Sequence, residues 1–355
     1  MKYELLFVWI GVFALIASSA SAGFYTEFNG YRQHKTKRVY ANIAFIPIIY
    51  FVVTSTWQYW GDYSLYLNNY VLFPTDISQA ASVILQQEDS WLFYAFTYLV
   101  KVLSGGNLLA YRLALSLMQS IPIVVMLRRY SGNYAFSVFL FLTAATPLAW
   151  MLNGVRQLCA AAIIYGATQL YVEKKYFKTV LLILFATCFH QSAILMLPMV
   201  FISLGKAWNK WTLLCIAGAI VFVSFSASLS GSYNAVMSNI GYDMSSYAND
   251  NGVHPLRVLV NFIPVLLSFL ARRKIEEEDS PAINYFVNMA LLTFGIYLVG
   301  MATSGVLIGR IPLYTSMYNF ILMPYLIEKL YRGGSRKLMY IAAAAGYLLY
   351  YFAQY

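Results

Sequence analysis

Charge is what this sequence has least of. Only 11% of its 355 residues are Asp, Glu, Lys or Arg, where a soluble domain carries about 25%. Hydrophobic residues make up 60%, and the mean hydropathy is +0.62. A soluble fold of 40.2 kDa has no way to hide that much apolar surface, so the solvent for most of the chain must be a bilayer. This excludes a cytosolic enzyme, a secreted disulfide scaffold and a nucleic-acid-binding protein. Cysteine is scarce as well. Cys159, Cys188 and Cys215 lie in apolar runs, with no CxxC or other metal-ligand spacing, and read as buried free thiols. No Walker motif, zincin motif, GxSxG elbow or pair of metal-binding carboxylates occurs, so neither a metal nor another cofactor is expected. No acidic residue lies deep in an apolar segment, which argues against a proton- or cation-coupled transporter.

What the sequence does have is long apolar runs. A transmembrane helix needs about 20 mostly apolar residues. Ten segments qualify: 3–22, 39–57, 107–127, 133–151, 156–172, 211–229, 255–271, 284–301, 311–328 and 338–354. The first ends in Ser18-Ser19-Ala20-Ser21-Ala22, which resembles a signal-peptide cleavage site. Its long apolar core, Glu4 near its start and the basic cluster behind it favour a retained span. Lysine and arginine fall in six clusters, at 32–38, 128–129, 174–178, 206–210, 272–274 and 329–337, which hold 18 of the 24 basic residues. The positive-inside rule makes each cluster cytoplasmic. Strict alternation then fails only across 179–203. The conflict disappears if this stretch is a re-entrant hairpin of two half-helices, broken near Phe189-His190-Gln191-Ser192, with Pro198 disfavouring a straight rod. One straight 25-residue helix with a mis-sided cluster is the alternative.

The fold expected is therefore an all-α polytopic membrane protein in a single integral domain, 1–355. It has about ten spans, a hairpin at 179–203 and both termini outside. The net charge of +10 is an orientation signal, with no need for nucleic acid. Two longer outer loops, 58–106 and 230–254, are rich in Tyr, Asn, Asp and Ser, and 91–103 reads as a short interfacial helix.

Four arginines escape the positive-inside pattern: Arg112, Arg156, Arg257 and Arg310. Guanidinium binds oxyanions bidentately and stays charged, which suits a diphosphate. Snorkelling, or pairing with Asp62 or Asp243, is the structural alternative. Arg156 follows Asn153-Gly154-Val155 at the start of a span, an anion-favouring helix end. His190, at the hairpin break, could act as base, acid or hydrogen-bond donor to phosphate, or simply bridge helices. In Trp60-Gly61-Asp62-Tyr63-Ser64-Leu65-Tyr66, Asp62 could orient an acceptor hydroxyl. Trp60, Tyr63 and Tyr66 could stack on sugar rings, or belong to an interface belt with an Asx turn.

These motifs, in this order, resemble the EpsG-like branch of the Wzy-type bacterial polysaccharide polymerases. The resemblance rests on Gly61-Asp62-Tyr63-Ser64-Leu65-Tyr66, on Asn153-Gly154-Val155-Arg156-Gln157, and on Phe189-His190-Gln191-Ser192-Ala193-Ile194-Leu195 followed by Leu197-Pro198. It is densest in 50–200. Family members often carry an arginine shortly before the Asp-Tyr pair, where this chain has Thr56-Trp57-Gln58-Tyr59-Trp60. The resemblance implies a GT-C-like fold in the bacterial inner membrane and metal-independent glycosyl transfer on its periplasmic face. A growing glycan would pass from undecaprenyl diphosphate onto the next lipid-linked repeat unit. Catalysis would fall to His190, Arg156 and Asp62, with Arg156, Arg310, Arg257 and Arg112 on the diphosphate and Tyr63, Tyr66, Trp60 and Gln157 on the sugars. A chain-length-determining copolymerase is the implied protein partner, beside the membrane lipid. An O-antigen ligase-like transferase, a flippase without chemistry and an acyltransferase are the competing readings. Polar residues gathered at one face favour an enzyme over a transporter, and no inward-side catalytic dyad supports the acyltransferase.

Overall fold

The computed structural model describes residues 25–28, 31–34, 46, 48–50, 52–55, 61–87, 89–144, 146–225 and 251–354. The expected first span, most of the second, Trp60, Asp243 and most of the 230–254 loop lie outside them. The chain forms two compact units, 1–197 with 351–355, and 198–350.

Among the described residues all regular structure is helical except one antiparallel hairpin, β1 (Tyr25–Phe28) with β2 (Tyr31–His34), in which Phe28 pairs with Tyr31. No strand was expected there. Asn29-Gly30, the two-residue pair most diagnostic of a hairpin, is the sequence signal for it.

In the first unit the helices are α1 (Gly61–Leu72), α2 (Ile77–Leu85), α3 (Trp91–Leu103), α4 (Leu108–Tyr130), α5 (Tyr134–Thr143), α6 (Thr146–Trp150), α7 (Val155–Gly166), α8 (Thr168–Val172) and α9 (Tyr176–Thr187). A 3-10 turn, Gln191–Leu195, leads into α10 (Met196–Ser203), which from Pro198 on belongs to the second unit. Helix starts follow the capping rule. Asp76, Asn107 and Asn133 each place a side-chain oxygen on the free N–H groups of α2, α4 and α5. α3 occupies the stretch read as an interfacial helix. The expected spans at 133–151 and 156–172 are each divided, the second where α7 gives way to α8 at Ala167.

The second unit contains α11 (Lys210–Ser224), α12 (Pro255–Leu270), α13 (Arg272–Glu278), α14 (Pro281–Met301), a 3-10 segment (Ile308–Tyr314), α15 (Tyr318–Leu330) and most of α16 (Gly333–Gln354). α14 is its core: thirteen of the fourteen positions from Ala282 to Gly295, all but Phe294, are buried. Asn288 sits in the middle of that core. Its amide donates to the carbonyls of Ser203 and Lys206 (3.0 and 2.9 Å) and accepts from the Trp208 N–H at 2.9 Å, so one buried side chain pins the whole turn before α11. The expected span at 311–328 begins as 3-10 helix because Gly309 and Pro312 interrupt the α pattern, and α-helix resumes only at Tyr318.

By length and composition, two helices among the described residues are long and apolar enough to cross a membrane, α4 and α14. The pair α12 and α13, bent by 66°, would make a third as one broken span.

The first unit has two distinct polar ends. On α4, Arg112 and Arg129 stand 17 residues apart, or about 25 Å along the axis. At the far end Arg129 donates to Gln169, which bonds to Glu173, which pairs with Lys175. The 128–129 and 174–178 clusters thus lie together. In the second unit Lys274 donates to the Lys329 carbonyl (2.8 Å), and Lys329 pairs with Glu278, so the 272–274 and 329–337 clusters also meet.

Candidate functional site

Tyr63 and Tyr66 are three residues apart on α1, so their side chains stand one above the other on one face. Both are buried, at 0% and 8% exposure. Each hydroxyl accepts a hydrogen bond from an arginine on a different helix. Arg112 Nε of α4 donates to Tyr63 at 3.3 Å, and Arg156 Nε of α7 donates to Tyr66 at 3.2 Å. The guanidinium carbons lie 5.7 and 5.9 Å from the two ring centres, within cation–π range. Tyr63 in turn donates a hydrogen bond to the Val52 carbonyl at 3.3 Å. Burial pushes both phenols above their ordinary value, with the arginines pulling the other way, so the phenols stay neutral.

The second partner of Arg112 is the Ser55 carbonyl, and that of Arg156 is Ser90 Oγ at 2.6 Å. Among the described residues neither guanidinium has a carboxylate within 4.0 Å. Both are hydrogen-bonded by neutral oxygens, and the Asp89 carboxylate acts on Arg156 only through space. Ser90 is a diverted cap. It occupies the N-cap of α3, yet its hydroxyl makes no capping bond. The Leu92 N–H that a cap would satisfy is taken by the Cys188 carbonyl at 3.1 Å.

Cys188 belongs to the break between α9 and the 3-10 turn. The helix ends at Thr187, His190 is fully extended (φ −160°, ψ 120°), and its ring caps the turn. The Nδ1 atom accepts from the Ser192 N–H at 3.3 Å and meets the Ser192 hydroxyl at 2.8 Å. Gln157, the neighbour of Arg156, donates to Ser192 Oγ at 3.4 Å. The break falls on the four residues named from sequence. It is tied to the Arg156 turn through Ser192 and Gln157, and through Cys188 to the start of α3, whose Ser90 holds Arg156.

The structure thus brings together Arg112, Arg156, Tyr63, Tyr66, Gln157 and His190. Asp62 is exposed in the first turn of α1, where the helix dipole favours it, and it forms no ion pair with either arginine. The rings of Tyr63 and Tyr66 have almost no open face for a sugar, and Gln157 is buried at 5%. In this geometry they carry the arginines and the histidine. Trp60 lies outside the described residues. Sequence reasoning missed Ser90, because a serine before a helix reads as a cap, and Ser55, which contributes only its carbonyl. It also left Lys101 without a role. Lys101 is buried and donates to the Tyr70 and Val71 carbonyls at the end of α1 (2.9 and 2.8 Å), a cationic C-cap. Burial pushes its amine down.

Arg257 and Arg310 belong to the second unit, where both are half-buried. Arg257 is in the first turn of α12 and Arg310 in the 3-10 segment after α14. Val253 brings these two regions together. Its N–H donates to the Gly300 carbonyl at 3.0 Å, and a Cβ on Gly300 or Gly309 would meet its Cγ2 at 2.8 Å. Gly252, at φ +73°, turns the backbone into this contact. Among the described residues no three of His, Cys, Asp and Glu gather as a metal-ligand set.

Apolar helices, basic clusters paired at one end of a unit and neutral-oxygen-held arginines at the other define a helical membrane protein. The chain belongs to the EpsG family, whose sequence model matches residues 39–355. It is therefore a membrane protein of polysaccharide biosynthesis. No curated protein and no solved structure matches the chain.

Proposed function

We propose that this protein is a metal-independent polymerase that joins undecaprenyl-diphosphate-linked repeat units into O-antigen or exopolysaccharide. It acts on the periplasmic face of the bacterial inner membrane. About ten spans, both termini periplasmic and a GT-C-like arrangement complete the proposal, with a copolymerase setting chain length. Family membership supports the polymerase class. The observation that carries the site is the pair Arg112 and Arg156, hung on one helix by tyrosine hydroxyls with no carboxylate in ion-pair contact among the described residues.

In the reaction an acceptor hydroxyl attacks the anomeric carbon of the donor glycan. A new glycosidic bond forms, and the bond from that carbon to the diphosphate oxygen breaks. The lipid diphosphate leaves with the electron pair, and the arginines stabilise the charge it gains. The acceptor proton goes to the exposed Asp62 carboxylate. Arg257 and Arg310 are assigned to the diphosphates of the lipid carriers.

A gel of surface polysaccharide tests this. The strain lacking the gene is compared with strains restored with the natural chain, Arg156→Ala or His190→Ala. The deletion and Arg156→Ala strains should carry single repeat units on the final acceptor, with normal protein level. Long chains left on the lipid carrier would make it a ligase, and absence of any repeat outside would favour a flippase. Full-length polymer from Arg156→Ala would remove Arg156 from the donor site.

A further inference from the structure

His190 can serve a glycosyl transfer as a proton acceptor or as a hydrogen-bond donor, and its surroundings distinguish the two. A backbone N–H is always a donor. The Ser192 N–H points at Nδ1 of His190 from 3.3 Å, so Nδ1 must be the unprotonated nitrogen of the neutral ring, and the hydrogen sits on Nε2. The Ser192 hydroxyl, 2.8 Å from the same atom, has one hydrogen to give. Gln157 donates to the oxygen of that hydroxyl at 3.4 Å, which leaves the hydrogen aimed at His190. Two donors therefore hold the lone pair of the ring inside the turn. To act as a base, His190 would have to take a proton at Nδ1 and break the cap that fixes its own helix start.

We infer that His190 acts as a fixed Nε2–H donor to an anionic oxygen of the substrate diphosphate, with Ser192 and Gln157 as the positioning residues that set its tautomer. This rests on the glycosyl-transfer function proposed for the site. Gln157 follows Arg156 in the first turn of α7, so the donor and the guanidinium are fixed by one helix start. An N–H suits an oxygen that gains charge as its bond to the sugar breaks. The proton of the acceptor hydroxyl is then left to Asp62.

The chain has three histidines, His34, His190 and His254, so a full-length protein labelled with 15N-histidine gives three imidazoles to resolve. His254 is an internal standard, because its Nδ1 accepts the Leu256 N–H at 3.2 Å in the same capping geometry. In detergent at neutral pH, His190 and His254 should both show an unprotonated Nδ1 and a protonated Nε2. Ser192→Ala should shift only the His190 pair toward a mixture, which also assigns it. A His190 ring protonated on Nδ1 overturns the tautomer.

The second arm is kinetic, with the undecaprenyl-diphosphate-linked repeat unit as substrate. A glutamine amide can donate where Nε2–H does but cannot take a proton. His190→Gln should stay within about tenfold of the natural rate, while His190→Ala falls by about a hundredfold, the loss typical of one oxyanion donor. His190→Gln as inactive as His190→Ala overturns the donor role. An inactive natural protein with the expected tautomer would instead refute the transferase function and leave the tautomer standing.

Discussion

Removing the Tyr66 hydroxyl leaves the Arg156 Nε–H against a ring edge with no acceptor, and a buried donor without a partner costs about 1–3 kcal/mol. Tyr66→Phe should therefore lower the thermal midpoint by several degrees and shorten the polymer less than Arg156→Ala does. An unchanged midpoint in a thermal scan would mean that Arg156 finds its acceptor elsewhere. The two phenols also give the protein a one-sided pH response. Their folded-state values lie above the ordinary 10.0, so their contribution is intact below that pH. It is lost as pH rises past 10, where the unfolded chain releases the protons first. Thermal midpoints measured from pH 7 to 11 should be level with respect to these groups up to about 9.5 and then fall, and Tyr63→Phe should flatten the fall. What sequence could supply here was the list of arginines and the histidine. It could not separate Tyr63 and Tyr66 from an interface belt, because a ring that stacks and a ring that carries a guanidinium look alike in one dimension.

At the scale of elements, the break at Phe189-His190-Gln191-Ser192 was legible because four consecutive residues, three of them polar, interrupt an apolar run, and helix propagation gives way where side chains compete for the backbone. The divisions after Thr143 and at Ala167 were harder to read, since Thr146-Pro147 and Gly166-Ala167-Thr168-Gln169 are short interruptions in runs that stay apolar on average. Gly154 is the most demanding single position among these elements. A Cβ there would run into the Trp150 ring, so Gly154→Ala should displace the start of α7 and with it Arg156. The expected outcome is loss of polymer together with a lower yield of folded protein by detergent gel filtration. Asn288 offers a cleaner stability test. Asn288→Leu leaves two carbonyls and one N–H of the turn at 203–208 without partners, a cost of several kcal/mol. The thermal midpoint should drop well beyond that of Tyr66→Phe.

Over the whole molecule, the clusters at 128–129 and 174–178 meet within the first unit and those at 272–274 and 329–337 within the second, while the side of the membrane they face rests on the spacing of lysines and arginines along the chain. Span number was less accessible, because a helix interrupted by a 3-10 turn and one that is not have the same hydropathy. Labelling from outside tests the proposed arrangement in a variant without the exposed Cys215 and the partly exposed Cys188. Cysteines placed at Lys178 and Lys206 should be silent, and one at Ser64 should react. Labelling at either lysine would show that 179–203 crosses the membrane. A polymerase must also release a diphosphate once for every unit it adds, and the diverted cap at Ser90 bears on how. On the proposed reading, an Arg156 that leaves Ser90 for a phosphate oxygen strands the serine hydroxyl, because the Leu92 N–H is held by the Cys188 carbonyl and the Phe93 N–H by the Ser90 carbonyl. Each capture of a diphosphate would then give up one internal hydrogen bond and each release would regain it, so the protein's own serine would favour letting the product go.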